Sequence, residues 1–174
     1  MPDAPGLELI AQGIEEGHEG TVIETSFEHD RATLIVNPEH VLHALAWLRD
    51  TPEQGYRFLS SVHAADYLPA SPRFAVHYEL LCRDRVERIN VKALLQDGEE
   101  LPELDSCVAL YPTAEYQERE VYDFFGIVFR GHPDLRRILM PEDYVGWPLR
   151  RDFPIGGEPV LFTHNEIETP RWFE

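Results

Sequence analysis

Five side chains capable of metal-binding or acid–base chemistry lie close together in the sequence: Glu118, Glu120, Asp123, His132 and Asp134. Their spacing matches neither H-E-x-x-H, nor two histidines four residues apart, nor the loop of an EF-hand. Glu118 and Glu120 are two residues apart, so on a helix their carboxylates do not face each other as an acid–base pair. Because each acid has an arginine nearby in sequence, we expect structural ion pairs. An independent acidic metal-dependent enzyme is the alternative.

Arginine is concentrated in the same part of the chain. Residues 130–152 contain five arginines and four acids, whereas the whole chain has a formal net charge of −17 and Lys92 is its only lysine. Guanidinium groups form fixed, two-point pairs with carboxylates at interfaces. This composition therefore indicates a segment that recognises another protein surface.

Two short motifs in this segment restrict the backbone beside charged side chains. In the first, Gly131 permits an unusual turn, Pro133 fixes φ, and His132 can bond the nearby backbone. We expect this corner to present three side chains in a defined direction: Leu135, Arg136 and Arg137. The second motif repeats the combination with Arg150, Arg151, Asp152, Phe153 and Pro154. Both are interpreted as recognition elements, with an intramolecular tie to the same domain as the alternative.

The composition also argues against several classes of partner and cofactor. A chain with a net charge of −17 attracts neither a phosphate backbone nor an anionic lipid surface, so nucleic acid is not expected as a partner. There is no Walker A or G-x-G-x-x-G sequence, and Ser60-Ser61 with His63 lacks the G-x-S-x-G of a hydrolase. Cys82 and Cys107 alone cannot hold zinc or an iron–sulfur cluster. We expect two buried free thiols there, with a disulfide as the alternative.

The spacing of apolar residues predicts the elements that position these side chains. Residues 6–16 have helical spacing, residues 21–27 and 31–37 form a predicted hairpin, and Asn37-Pro38 starts a second helix. Three further strand-like segments follow. Consecutive strands joined by short turns favour antiparallel pairing, so the sequence predicts an α+β fold with helices packed on one mixed sheet.

A third helix is predicted over the first half of the charged segment. Thr113 is a credible N-cap and Gly126 a helix stop. Arg119 lies four residues from both Glu115 and Asp123, so we expect it to pair with them along the helix surface.

The character of the sequence changes after residue 144. Residues 145–174 contain four prolines and three glycines, which argue against regular structure, and five aromatic side chains, which are rare in disordered tails. We predict a scaffold domain over 1–144 and an extended partner-binding arm over 145–174. Neither a secretory signal at MPDAPGLELI nor an apolar run of membrane-spanning length is found, so any membrane attachment is expected through partners.

Two sequences, EREVYDFFGIVFRGHPDLRRIL and GWPLRRDFP, closely resemble the signature region of a known family. This is the C subunit of proton-pumping NADH–quinone oxidoreductase, the 30-kilodalton subunit family of respiratory complex I. The resemblance covers about residues 104–155 and includes Glu118, Arg119, Glu120, Asp123 and the whole Gly131–Arg137 sequence. Trp147 stands where the family usually has histidine, and Arg151 where it usually has lysine.

The resemblance implies a non-catalytic scaffold subunit of the peripheral arm, with no activity as an isolated chain. It implies that FMN, iron–sulfur clusters and quinone are bound by other subunits, and that this chain binds no cofactor or metal. The expected partners are subunits D and B and other peripheral-arm subunits, on the cytoplasmic side of the cell membrane. The equivalent subunit of a related membrane-bound hydrogenase, or of a deazaflavin- or ferredoxin-dependent oxidoreductase, is the alternative.

Overall fold

A computed structural model describes residues 2–96, 98 and 101–154. Its helices and strands, in chain order, are α1 (Ala4–Gly17), β1 (Val22–Glu28), β2 (Arg31–Val36), α2 (Val41–Asp50), β3 (Phe58–Asp66), β4 (Phe74–Cys82), β5 (Glu87–Leu95), β6 (Glu103–Asp105), α3 (Ala114–Phe125) and β7 (Val128–Arg130). A short 3₁₀ turn, Pro38–His40, precedes α2.

Five strands form one mixed sheet in the order β1-β2-β5-β4-β3. The pairs β1–β2, β5–β4 and β4–β3 are antiparallel, and only β2–β5 is parallel. Parallel strands need a long crossover connection, which α2, β3 and β4 provide here. The short strands β6 and β7 pair in parallel and flank α3. The predicted α+β class with helices on a mixed sheet is confirmed.

One face of the sheet forms the core with the helices. In β4, Val76, Tyr78 and Leu80 are buried in the same cluster as Leu7 and Ile14 of α1. The intervening β4 residues point to the opposite face, as the period of two in a strand requires. Within the described part of the chain, this arrangement leaves the second face of the sheet without a helix over it.

Several local predictions are confirmed and one cap differs. Asn37 caps the 3₁₀ turn by accepting from the Glu39 N–H at 3.1 Å. Gly126 ends α3 with a φ of +71°, a left-handed conformation that glycine adopts without strain. Thr113 occupies the N-cap position of α3, but its side chain makes no capping hydrogen bond.

Cys82 and Cys107 are both buried and free, which confirms the predicted thiols. Among residues 2–96, 98 and 101–154, no helix combines the length and apolarity needed to cross a membrane. Residues 145–154 contain turns but no helix or strand, and the rest of the predicted arm, 155–174, lies outside the described residues.

Candidate interaction surface

Residues 131–154 follow β7 and wrap around α3 without forming a helix or strand of their own. The buried N–H and C=O groups of such a backbone have no helix or strand ladder to pair with, so they need hydrogen-bond partners from elsewhere in the protein. Here the partners come largely from α3, whose buried side chains include Glu118, Arg119 and Asp123. We refer to residues 131–154 as the wrapping segment.

Asp123 is the centre of the contact between α3 and the wrapping segment. Its side chain is fully buried. Its Oδ2 accepts the backbone N–H groups of Ile138 at 3.1 Å, Leu139 at 2.7 Å and Met140 at 2.8 Å. Burial alone would raise the pKa of Asp123, but these three N–H groups and a guanidinium outweigh it and lower the pKa. The carboxylate therefore stays ionised and fixes the backbone of the wrapping segment.

The guanidinium that faces Asp123 belongs to Arg137, which is 11% exposed. Its Nη1 donates to Asp123 Oδ1 at 2.8 Å, and its Nη2 donates to the carbonyls of Tyr144 at 3.0 Å and Gly146 at 2.9 Å. The guanidinium also lies 4.6 Å from the ring of Trp147. Arg137 thus ties both sides of the predicted 144/145 domain boundary to α3, while the boundary itself stays a prediction.

Arg119 does not pair with acids along α3, so this expectation is wrong. Its Nε donates to the carbonyl of Arg136 at 3.2 Å and its Nη2 to the carbonyl of Arg137 at 3.1 Å. The reason is burial: Arg119 is 9% exposed and faces the wrapping segment, whose carbonyls have no strand partner. Asp123 forms its ion pair with Arg137 and not with Arg119.

The Gly-His-Pro corner is held by both ring nitrogens of His132. The Asp134 N–H donates to Nδ1 at 3.0 Å, so Nε2 carries the ring proton and donates to the carbonyl of Glu115 at 2.9 Å. Gly131 has a φ of +78°, which explains glycine at this position. The expected backbone-bonding role of His132 is therefore observed.

Glu118 is fully buried, and no arginine pairs with it among the described residues, contrary to the expectation of an ion pair. Its carboxylate accepts the Ser106 hydroxyl at 2.6 Å and the Cys107 N–H at 2.8 Å. Burial is the largest influence and raises the pKa of Glu118. Glu120 is exposed, so the two carboxylates lie on different faces of α3, as their spacing predicts.

The second motif packs on the C-terminal end of α3. Arg150 Nε donates to the carbonyl of Phe125 at 2.7 Å, and its guanidinium lies 5.1 Å from the ring of Phe74. Trp147 packs directly over Gly126, where an added Cβ would come within 2.5 Å of the indole ring. Glycine at position 126 is thus required both by its φ and by this contact.

Asp66, the last residue of β3, and Arg73, just before β4, anchor the end of the wrapping segment. Arg73 pairs with Asp152 at 2.6 Å and with the almost fully buried Asp66 at 2.7 Å. Asp66 Oδ2 also accepts the Arg151 N–H at 2.8 Å. Burial opposes ionisation of Asp66, but Arg73 and the two backbone N–H groups outweigh it and lower its pKa to about 2. Sequence reasoning missed Asp66 and Arg73, because nothing in their local sequence sets them apart from ordinary turn residues.

The remaining members of the predicted site lie at the surface or between these anchors. Arg136 is exposed and pairs with Asp134 at 2.9 Å, Leu135 packs on the core, and Phe153 lies 6.3 Å from the ring of Tyr144. Pro133 and Pro154 are exposed. Four apolar side chains of the segment also face solvent: Ile138, Leu139, Val145 and Leu149. Across residues 2–96, 98 and 101–154, no three His, Cys, Asp or Glu side chains are grouped to hold a metal ion.

Comparisons with known proteins agree on one family. The family model described as "Respiratory-chain NADH dehydrogenase, 30 Kd subunit" matches residues 34–159. The C subunit of NADH-quinone oxidoreductase from Roseiflexus castenholzii is 48% identical over 131 residues, which is 75% of this chain and 74% of that protein.

Two solved structures share the fold. The trypsin-resistant fragment (1–134) of Nqo5 has a TM-score of 0.60 and 30% identity, covering 74% of this chain and 98% of that chain. A chain of an archaeal membrane-bound sulfane sulfur reductase has a TM-score of 0.67 and 24% identity, covering 85% of both chains, a likeness in fold alone. The chain belongs to the 30-kilodalton subunit family of respiratory-chain NADH dehydrogenase.

Proposed function

We propose that this chain is a non-catalytic scaffold subunit of a proton-translocating NADH–quinone oxidoreductase. The observation that carries the proposal is the 48% identity to a protein named as the C subunit of NADH-quinone oxidoreductase, over three quarters of both chains. In this role the chain supports electron transfer from NADH, through FMN and iron–sulfur centres of other subunits, to quinone.

The contacts of the candidate acid–base groups support a structural role. The Asp123 carboxylate is occupied by Arg137 and three backbone N–H groups, and both nitrogens of His132 bond the backbone. The Glu118 carboxylate is buried against Ser106 and Cys107. A general acid or base must reach a substrate proton. These groups instead hold the wrapping segment and the backbone before α3.

The wrapping segment has the features of a docking surface. Its backbone is fixed by buried charges, while Leu139 is 61% exposed, Val145 is 89% exposed and Leu149 is 53% exposed. Arg136, which is 63% exposed, adds a charged group beside them. Apolar side chains held rigidly and bordered by arginine are typical of protein interfaces. We propose subunits D and B as the partners, in a peripheral position on the cytoplasmic side of the membrane.

A pair of matched substitutions tests the docking surface. Leu139→Glu places a charge in the wrapping segment, and Leu9→Glu places the same charge at a similarly exposed leucine on α1. We expect Leu139→Glu to lower the amount of assembled oxidoreductase in membranes, because a charge in an interface loses its hydration. Leu9→Glu should leave assembly unchanged. Equal assembly of both variants, with both isolated chains folded, would contradict this role for the segment.

The fold also occurs in the sulfane sulfur reductase complex, so the electron donor is a separate question. The alternative is the equivalent scaffold subunit of a related membrane-bound hydrogenase or of a deazaflavin- or ferredoxin-dependent oxidoreductase. Assaying the purified assembly with NADH, hydrogen and reduced ferredoxin distinguishes them. Activity with NADH supports the first proposal, and activity only with another donor replaces it while keeping the scaffold role.

A further inference from the structure

The face of the sheet opposite the helices carries an ordered ladder of mostly polar side chains. Ile35, Lys92, His77 and His63 are register partners on the adjacent strands β2, β5, β4 and β3. The next row consists of Thr33, Asn90, Glu79 and Ser61. The two rows, except for Ser61, line an open groove of about 430 Å³. No residue of the wrapping segment lines the groove, and the groove has no role in the function proposed above.

Most polar groups of this face are already paired with one another. His77 donates from Nδ1 to Asn90 Oδ1 at 3.2 Å and accepts the Tyr67 hydroxyl at Nε2, also at 3.2 Å. Burial lowers the pKa of His77 to about 4, so this imidazole is neutral and fixed. Glu79 accepts from Arg31 at 2.8 Å and from Asn90 at 3.0 Å. These hydrogen bonds fix the side chains that form the base of the groove.

Lys92 carries a charge that this network does not pair. Its ammonium lies 4.5 Å from the centre of the Tyr67 ring, and none of the ion pairs among the described residues includes it. His63 stacks on His77 with 5.0 Å between ring centres. An acidic chain of net charge −17 thus holds its only lysine on an open face, where no carboxylate of the described residues pairs with it.

We propose that this sheet face is a second docking surface, which takes an acidic, extended segment of another subunit with a carboxylate at Lys92. The inference rests on the scaffold role proposed above. The charge complementarity is confined to Lys92, because the lining also contains Glu28 and Glu79, and Glu79 is already paired with Arg31. A carboxylate of the partner would form an ion pair with Lys92 beside Tyr67.

The shape of the groove favours a polypeptide over a small molecule. Strands are about 4.8 Å apart, so the ladder extends about 14 Å across four strands. Small ligands are usually enclosed over most of their surface, whereas this groove is open along the sheet. An extended segment can cross the ladder and place one acidic side chain over Lys92 and another polar group near His63.

The single lysine makes a sharp test possible. A carbodiimide joins a lysine amine to a carboxylate in direct contact, so a crosslink from a lysine of this chain must come from Lys92. The assembly would be purified through a tag, treated with the carbodiimide and analysed by peptide mass spectrometry. We expect an isopeptide between Lys92 and an Asp or Glu of another subunit. Lys92 should also be acetylated several-fold more slowly in the assembly than in the isolated full chain.

Two variants serve as controls. Lys92→Arg keeps the charge but cannot form the isopeptide, so the crosslink should disappear while assembly persists. Arg83→Lys adds an amine at the exposed β4–β5 turn, outside the groove, and reports background crosslinking. The expected result is a link from Lys92 that clearly exceeds the link from position 83.

Several outcomes would overturn the inference. These are equal acetylation of Lys92 in the assembly and the isolated chain, a Lys92 link to a carboxylate of the same chain, and a link only between two copies of this chain. Recovery of the tagged chain without any other subunit would refute the scaffold role first, and the docking inference with it. An intact assembly with a fully reactive Lys92 would refute the docking inference alone.

Discussion

Asp123→Asn should lower the free energy of unfolding by about 3–5 kcal/mol, the cost of removing one partner from a buried ion pair. The structure places this variant at the severe end. The asparagine has the same shape, but only one of its two terminal atoms can accept hydrogen bonds. In the native chain one oxygen accepts three backbone N–H groups and the other accepts Arg137. The NH₂ group of the asparagine must therefore point at either the three backbone N–H groups or the Arg137 guanidinium, and in both cases donors face donors.

The matched control is Asp134→Asn in the exposed pair with Arg136. Its two side chains are 48% and 63% exposed, against 0% and 11% for Asp123 and Arg137. Exposed pairs contribute about 0–1 kcal/mol, so this variant should be nearly as stable as the parent chain.

Equilibrium unfolding in urea measures both variants, followed by fluorescence of the tryptophans and by circular dichroism. Limited proteolysis gives a second readout, since loss of the Asp123 contacts should expose residues 131–154 to cleavage before global unfolding. If Asp123→Asn lay within about 1 kcal/mol of Asp134→Asn, the buried pair would not be the main anchor of the wrapping segment.

Glu118→Gln, unlike Asp123→Asn, should be at least as stable as the parent chain at neutral pH. Burial raises the pKa of Glu118 in the folded state, so the parent loses stability as the pH rises from the pKa of the unfolded state through the pKa of the folded state. Urea unfolding at several pH values tests this, and a large loss at neutral pH would refute it. Gly126→Ala should lower the free energy of unfolding in urea clearly more than Gly131→Ala. Both glycines have a positive φ, but only a Cβ at position 126 would meet Trp147, so equal losses would contradict that packing. The pKa of Asp66 is lowered to about 2 in the folded state, whereas its pKa in the unfolded chain is about 4. Asp66 therefore stabilises the fold fully above about pH 4, and this stabilisation is lost as the pH falls toward 2. Acid titration of the parent and of Asp66→Asn checks this, and identical profiles would refute it.

The regular elements could be predicted because their signals are local. The helical spacing of Leu7, Ile10 and Ile14 and the alternation in β4 each reflect a single element facing one core. The cap of the 3₁₀ turn at Asn37 and the end of α3 at Gly126 likewise depend on adjacent residues. These features follow from the backbone conformation that a few neighbouring residues allow.

The contacts of the candidate surface could not be assigned in the same way. The charged residues of α3 and of residues 130–152 predict ion pairs, but their actual partners depend on tertiary contacts. Arg73 pairs with Asp152, 79 positions away, and Arg119 takes two carbonyls in place of the acids one turn along α3. The ladder at Lys92 depends on the parallel register of β2 and β5, which no local pattern specifies.

Native purification tests most directly whether the chain works as a scaffold inside a respiratory assembly. The chain would carry an N-terminal tag, membranes would be extracted in mild detergent, and every co-purifying subunit would be identified while NADH–quinone activity is measured. We expect recovery with subunits D and B, with the flavin-bearing input subunits, and with activity. Recovery of the folded chain alone from the soluble fraction would contradict the scaffold role.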